Sequence, residues 1–86
     1  MPEISRFYGI VIRMYFSDHN PPHFHAFYSG DEAVIDIQTL AVLSGRLPGR
    51  ALGLVVEWGL LHSDELRDLW KKARDAHELH RIDPLP

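Results

Sequence analysis

The sequence predicts an α+β domain in which a small antiparallel sheet of three to four strands precedes two C-terminal helices packed on one face. Residues of high β propensity, alternating in polarity, are concentrated between about residues 6 and 47, whereas helical periodicity begins near residue 49. The 86 residues are 45% hydrophobic, which is enough for one modest core. We therefore predict a single domain over residues 1–86.

The segment FYGIVIRMYF, at residues 7–16, is predicted to be the first strand. Its β-branched and aromatic residues are typical of a strand that is buried on both faces. The segment SDHNPP follows at residues 17–22 and ends in two prolines, which lack amide hydrogens and have a fixed φ. This segment is therefore predicted to be a loop.

The segments HFHAFY (23–28) and EAVIDIQT (32–39) alternate between two faces, which predicts an antiparallel hairpin. Gly30 is a suitable first central residue of a type II′ turn, so we place the turn at Gly30-Asp31. This choice brings the apolar faces of both strands together.

The predicted register sets His25 opposite Asp36 and His23 opposite Gln38. The next apolar segment, AVLSGRL at residues 41–47, is predicted to add a fourth strand to the sheet.

Two helices are predicted in the second half of the chain, at about residues 49–62 and 64–78. Pro48 is suited to the first turn of a helix, where its missing amide hydrogen costs nothing. Asp64 and Glu65 favour the positive end of the second helix. Residues 81–86 contain two prolines and are expected to form a loose tail.

Composition excludes several classes of function. The chain has no cysteine, which excludes disulfides and thiolate metal sites. Its formal net charge of −3 does not favour binding to nucleic acid, so charge gives RNA no support as a partner. The apolar N-terminal stretch is interrupted by Arg13 and is too short to span a bilayer. We expect a cytoplasmic protein that does not bind membranes.

Half of the six histidines lie within HNPPHFHAF, residues 19–27. His23 and His25 are two residues apart on a predicted strand, so their side chains point the same way, about 6 to 7 Å apart. This spacing suits two imidazoles on one divalent metal ion such as zinc, with His19 or Asp36 as a further ligand or hydrogen-bond acceptor. Asp18 would lie at the periphery of such a site.

Two other interpretations of the same residues remain open. In the first, Asp36 orients His25 as a general base with His23 beside it, and Arg13 neutralises a phosphate, as in a histidine-based enzyme that acts on RNA. In the second, the histidines only stabilise the hairpin through cross-strand pairs worth about 0.2 to 1 kcal/mol each. The sequence does not decide whether the protein is an enzyme.

Several stretches resemble one family over about residues 2–70: SRFYGIVIRMYF, DHNPPHFHA, EAVIDI, GRLP-RAL-LV-EW and LH-DEL. They are similar to DUF4160, a family of small prokaryotic proteins defined only as a domain of unknown function. The chain departs from the family pattern at residues 39–41, where a glycine-centred turn is expected, and at Gly53, where a basic residue is usual.

The resemblance also implies a protein partner, because members are often encoded beside a second small protein in the manner of toxin–antitoxin pairs. We therefore expect one component of a toxin–antitoxin-like module that binds the protein encoded next to it. A two-layer domain leaves one sheet face uncovered, and Phe27 and Val34 are the predicted partner-binding residues on that face. A homodimer that shares core surface is a further expectation.

Overall fold

The computed structural model of the protein describes residues 3–16, 18–75 and 77–86. The chain forms one antiparallel five-stranded sheet, with the strands in chain order, and two helices follow it. The prediction of an α+β fold is confirmed, with one more strand than expected. The elements are β1 (Glu3–Phe7), β2 (Ile10–Arg13), β3 (His23–Tyr28), β4 (Asp31–Asp36), β5 (Val42–Gly45), α1 (Gly49–Leu61) and α2 (Ser63–Arg74).

The prediction of one strand over residues 7–16 is wrong, because the chain reverses at Tyr8-Gly9 between β1 and β2. Phe7 pairs with Ile10, and the two residues between them have φ values of +50° and +80°. Positive φ at both central residues is what a type I′ hairpin turn requires. Glycine adopts this conformation readily, but a tyrosine seldom does, so the sequence signal for the turn was weak.

The predicted register between β3 and β4 is also wrong. The turn lies at Ser29-Gly30, where φ is +48° and +88°, and Tyr28 pairs with Asp31. Each residue of β3 is therefore paired two positions earlier on β4 than predicted. A shift of two residues preserves the faces of both strands, so the apolar sides still coincide. His23 lies opposite Asp36, and His25 lies opposite Val34.

The core lies between the sheet and the two helices. Trp58 of α1 is fully buried at its centre, and its ring centroid lies 5.5 Å from that of Phe7 and 5.6 Å from that of Phe24. From α2, Leu66 and Leu69 complete this layer and are fully buried. No helix in the described part of the chain has the length and apolar character needed to cross a membrane.

The turn between β4 and β5 has Leu40 in the left-handed region, with φ +61°, where the family pattern suggested glycine. Such a conformation costs a leucine roughly 1–2 kcal/mol. The Leu40 side chain packs over Gly59 of α1, so closely that a Cβ on Gly59 would lie 2.6 Å from Leu40 Cδ2. The Asp36 carboxylate accepts the N–H groups of Gln38 and Thr39 at 2.7 and 3.0 Å and holds the same turn.

The C-terminal segment differs most from its prediction. Helix α2 ends at Arg74, earlier than the predicted end at about residue 78, and residues 81–86 are not a loose tail. The Ile82 N–H donates to the carbonyl oxygen of Ile4 at 2.7 Å, and the Trp58 indole N–H donates to that of Asp83 at 2.9 Å. Ile82 and Leu85 are buried in the core. The tail therefore completes the core. The two prolines in this segment had suggested a loose tail instead.

We predict that Ile82→Ala lowers the free energy of unfolding by about 2–4 kcal/mol, because a buried side chain is truncated and a cavity remains. Leu60→Ala removes a largely exposed side chain of α1 and should change stability by less than about 0.5 kcal/mol. Urea denaturation followed by tryptophan fluorescence measures both. Equal, small effects of the two substitutions would contradict a packed tail.

Glu3 joins β1 to the tail, because its carboxylate lies 2.8 Å from Arg6 and 3.0 Å from Arg81. The hydrogen bond from Arg6, and then that from Arg81, outweigh desolvation and lower the pKa of Glu3 from 4.5 to about 2. A depressed carboxylate pKa contributes stability above the unfolded-state pKa, and this contribution is lost as the pH falls through the folded-state pKa.

Glu3→Gln should therefore lower the Tm at about pH 6, and the difference from the original protein should shrink as the pH falls to about 2.5. Thermal unfolding across this range measures the effect, with Glu57→Gln on the exposed surface of α1 as the control. A difference that stayed constant down to the acid end would show that the Glu3 ion pairs contribute nothing.

Candidate metal centre

The alternation of β3 separates two kinds of side chain. Phe24 and Ala26 are fully buried, whereas His23 and His25 occupy the alternate positions of the strand and point to its other side. His23, at the start of β3, also lies against Trp70 of α2, with ring centroids 5.1 Å apart. The loop before β3 brings Asp18 to these two imidazoles. The loop is anchored to the sheet by Pro22, whose carbonyl oxygen accepts the Ile37 N–H at 3.0 Å.

His23 is 5% exposed, and both of its ring nitrogens face oxygen atoms. Its Nδ1 lies 2.7 Å from the carbonyl oxygen of Pro21, which only accepts hydrogen bonds, so Nδ1 carries a hydrogen and donates it. Its Nε2 lies 2.9 Å from Asp18 Oδ2. In the neutral ring, the Nε2 lone pair is therefore directed at a carboxylate.

His25 repeats this arrangement. Its Nδ1 lies 2.9 Å from Glu32 Oε2, to which it donates, and its Nε2 lies 3.7 Å from Asp18 Oδ2. The Nε2 atom is buried and has no hydrogen-bond partner among the residues that the structure describes. Such unpartnered buried atoms are uncommon and call for a physical explanation.

Asp18, His23 and His25 thus present three potential ligand atoms to one point, all within 4.8 Å of one another. Ligand atoms about 2.0–2.2 Å from a zinc ion lie no more than about 4.4 Å apart. The separations of 2.9 and 3.7 Å from Asp18 Oδ2 lie within this limit, and the two imidazole nitrogens lie within 4.8 Å of each other. The cluster of Asp18, His23 and His25 is called the DHH cluster below.

The electrostatics of Asp18 suit a ligand. Partial burial raises the pKa of this carboxyl, but the backbone N–H of His19 and the neighbouring His23 outweigh burial, so the pKa lies below its usual value. Asp18 is therefore an ionised carboxylate near neutral pH, as metal coordination requires.

Of the predicted metal ligands, the structure groups His23 and His25 with Asp18, whereas His19 and Asp36 are both neighbours of His23 that lie outside this cluster. The His19 side chain is 88% exposed; its Nδ1 lies 3.1 Å from Oδ1 of Asp18, and its ring centroid lies 5.8 Å from that of His23. The Asp36 carboxylate holds the β4–β5 turn. The predicted pairing of Asp36 with His25 fails because the hairpin turn lies one residue earlier than expected.

Arg13 is the cross-strand neighbour of His25 on β2. Its guanidinium carbon lies 5.0 Å from the centroid of the Phe27 ring, so Arg13 and Phe27 form a cation–π contact. Val34, the other predicted partner-binding residue, lies opposite His25 on β4.

Sequence reasoning gave Asp18 only a peripheral place and missed Glu32. The signal for Asp18 was its spacing, since an aspartate stands five residues before the first histidine of the pair, across a loop bent by two prolines. Glu32 needed the correct turn, because only the observed register sets it diagonally across from His25.

The DHH cluster opens into a pocket of about 340 Å³. Leu43 and Ser44 of β5, together with Val34, form its other wall. A small molecule bound beside the cluster would therefore contact both the histidines and an apolar surface.

The sequence profile of the family described as a domain of unknown function, DUF4160, matches residues 9–71. The chain belongs to the DUF4160 family. The match includes the whole DHH cluster and Glu32, whereas the tail that completes the core lies outside it. No curated protein and no solved structure matches this DUF4160 chain.

Proposed function

We propose that this DUF4160 protein binds one divalent transition-metal ion through Asp18 Oδ2, His23 Nε2 and His25 Nε2. The observation that carries the proposal is that both Nε2 atoms turn to the same carboxylate oxygen while both Nδ1 hydrogens are donated elsewhere. Imidazole nitrogen and carboxylate oxygen together suit zinc, and they also suit other ions of the first transition series.

A bound cation accounts for the cluster better than a proton does. A second proton on His23 would satisfy the contact with Asp18, but it would leave His25 Nε2 buried and 3.7 Å from the carboxylate, beyond hydrogen-bond distance. One cation between the three atoms satisfies both imidazoles and the carboxylate together.

The surroundings of the cluster support the same conclusion. Metal-binding histidines usually donate their other N–H to a carbonyl or carboxylate, which selects the tautomer and orients the ring. Pro21 provides the carbonyl behind His23, and Glu32 provides the carboxylate behind His25.

Three protein ligands leave a coordination position open, which is typical of catalytic zinc sites and not of structural ones. The adjoining pocket gives a substrate access to that position. A metal held there would supply a Lewis acid for polarising a carbonyl or phosphoryl oxygen. Metal-dependent hydrolysis, including hydrolysis of RNA, is the class of reaction that we propose for this site.

Isothermal titration of EDTA-treated protein with Zn²⁺ should show one equivalent bound, and His25→Ala or Asp18→Asn should abolish it. Glu32→Gln should weaken binding about 10- to 100-fold, because it removes the acceptor that orients His25. The control is His62→Ala, since His62 also contacts a carboxylate, that of Glu65 at 2.7 Å, but lies outside the cluster. Uptake that is equal in all variants, or absent from the original protein, would contradict the proposal.

We also infer a second function, binding of a partner protein at the β5 edge, as expected for one half of a toxin–antitoxin-like module. All four residues of β5 are exposed, and Val42 and Leu43 are 40% and 44% exposed. At the opposite end of the sheet, β1 contacts the tail. Exposed edge strands are templates for pairing with another chain, and Val34 adjoins this edge.

The protein encoded next to this one should co-purify with it, and Val34→Asp or Leu43→Asp should prevent co-purification by placing a charge in the contact. Leu60→Asp changes an exposed leucine of α1 and should leave the pair intact. A pair that survived both sheet substitutions, or that never formed, would contradict this function.

A further inference from the structure

A second pocket, of about 190 Å³, adjoins the loop before β3, which is called the proline loop below because it contains Pro21 and Pro22; Pro21 lines the pocket at the DHH cluster, and Pro22 lines this one. Asn20 and Pro22 line it from the loop, and Trp70 lines it from α2. The pocket is close to the metal centre, since the ring centroids of His23 and Trp70 are 5.1 Å apart. The three proposed metal ligands do not belong to its lining.

The polar lining of this pocket consists of cations and carboxamides. Arg67, Lys71 and Arg74 lie on one face of α2 at helical spacing, and Asn20 and Gln38 line the pocket from the loop and from the end of β4. Among the described residues, the lining contains no carboxylate. The pocket is therefore a local concentration of N–H donors and positive charge in a chain whose net charge is −3.

The acidic residues near these cations leave part of the charge uncompensated. Arg67 pairs with Asp64, and Arg74 lies 3.6 Å from Asp75. On the neighbouring stripe of α2, Lys72 pairs with Asp68 at 3.3 Å. Lys71 has no carboxylate within 4.0 Å in the described part of the chain, so its charge is available to a ligand.

We propose that this pocket binds the phosphate group of a phosphomonoester. Guanidinium groups recognise phosphate oxygens in a bidentate manner, lysine adds a point charge, and carboxamide N–H groups complete such a cradle. Lys71 and the two guanidinium groups, each of which is shared with one carboxylate, attract a phosphomonoester dianion more strongly than a singly charged carboxylate. The proposal does not depend on metal binding at the DHH cluster.

The two tryptophans provide an internal probe, because Trp70 lines the pocket and Trp58 is buried in the core. In ¹⁵N–¹H spectra of the EDTA-treated full chain, AMP should shift the Trp70 indole signal saturably, and the Trp58 signal should remain in place. Inorganic phosphate is titrated separately, so that binding of the phosphate group alone is distinguished from binding of the whole nucleotide. Adenosine, which lacks the phosphate, should have no effect.

Lys71→Ala should weaken AMP binding about two- to fivefold, as expected for loss of one exposed charge contact. Arg74→Gln provides a second variant of the same face. Lys72→Ala removes the same charge one residue away, where it pairs with Asp68, and should leave affinity unchanged.

Saturable binding of AMP that is weakened in the Lys71 and Arg74 variants but not in Lys72→Ala would support the proposal, whether or not inorganic phosphate also binds. Equal weakening by Lys71→Ala and Lys72→Ala would show non-specific attraction and overturn it. Absence of a saturable Trp70 shift, or an equal shift with adenosine, would overturn it as well. Because metal is removed throughout, these outcomes are independent of zinc binding.

Discussion

The structure depends on the two-residue period of β3. Successive side chains of a strand point to opposite faces, so one six-residue segment supplies both the centre of the core and the centre of the site. Phe24 packs edge-on against Trp58, which fixes the strand against the helices. The same packing holds His23 and His25 on the other side of the strand, since a slip of one residue would move both imidazoles into the core.

His23 links the different parts of the molecule. Its ring contacts Trp70 of α2, its Nδ1 donates to the proline loop, and its Nε2 faces Asp18. The position of the loop that carries Asp18 is therefore tied to the helical layer through a single, almost fully buried imidazole. The same loop also lines both the pocket at the DHH cluster and the cationic pocket.

Left-handed backbone conformations explain where the fold and the sequence pattern diverge. Tyr8, Ser29 and Leu40 each have positive φ at a turn, although none of them is a glycine. At Leu40, packing offsets the cost of the left-handed conformation, because the Leu40 side chain fills the space above Gly59. The β4–β5 turn is thus stabilised by a contact between residues distant in sequence, which local turn preferences do not predict.

Several features could be predicted from the amino-acid sequence alone: the α+β class, the hairpin of β3 and β4 with its correct faces, the two helices, and the placement of His23 and His25 on one side of a strand. These features follow from periodicity, which is a local property of the chain.

Other features required the three-dimensional structure: the split between β1 and β2, the register that brings Glu32 to His25, the packed tail, and Asp18 instead of Asp36 as the third member of the cluster. Each of these depends on a turn geometry or a long-range contact. Burial and hydrogen bonding between residues far apart in sequence stabilise these contacts, as between the Trp58 indole and the Asp83 carbonyl.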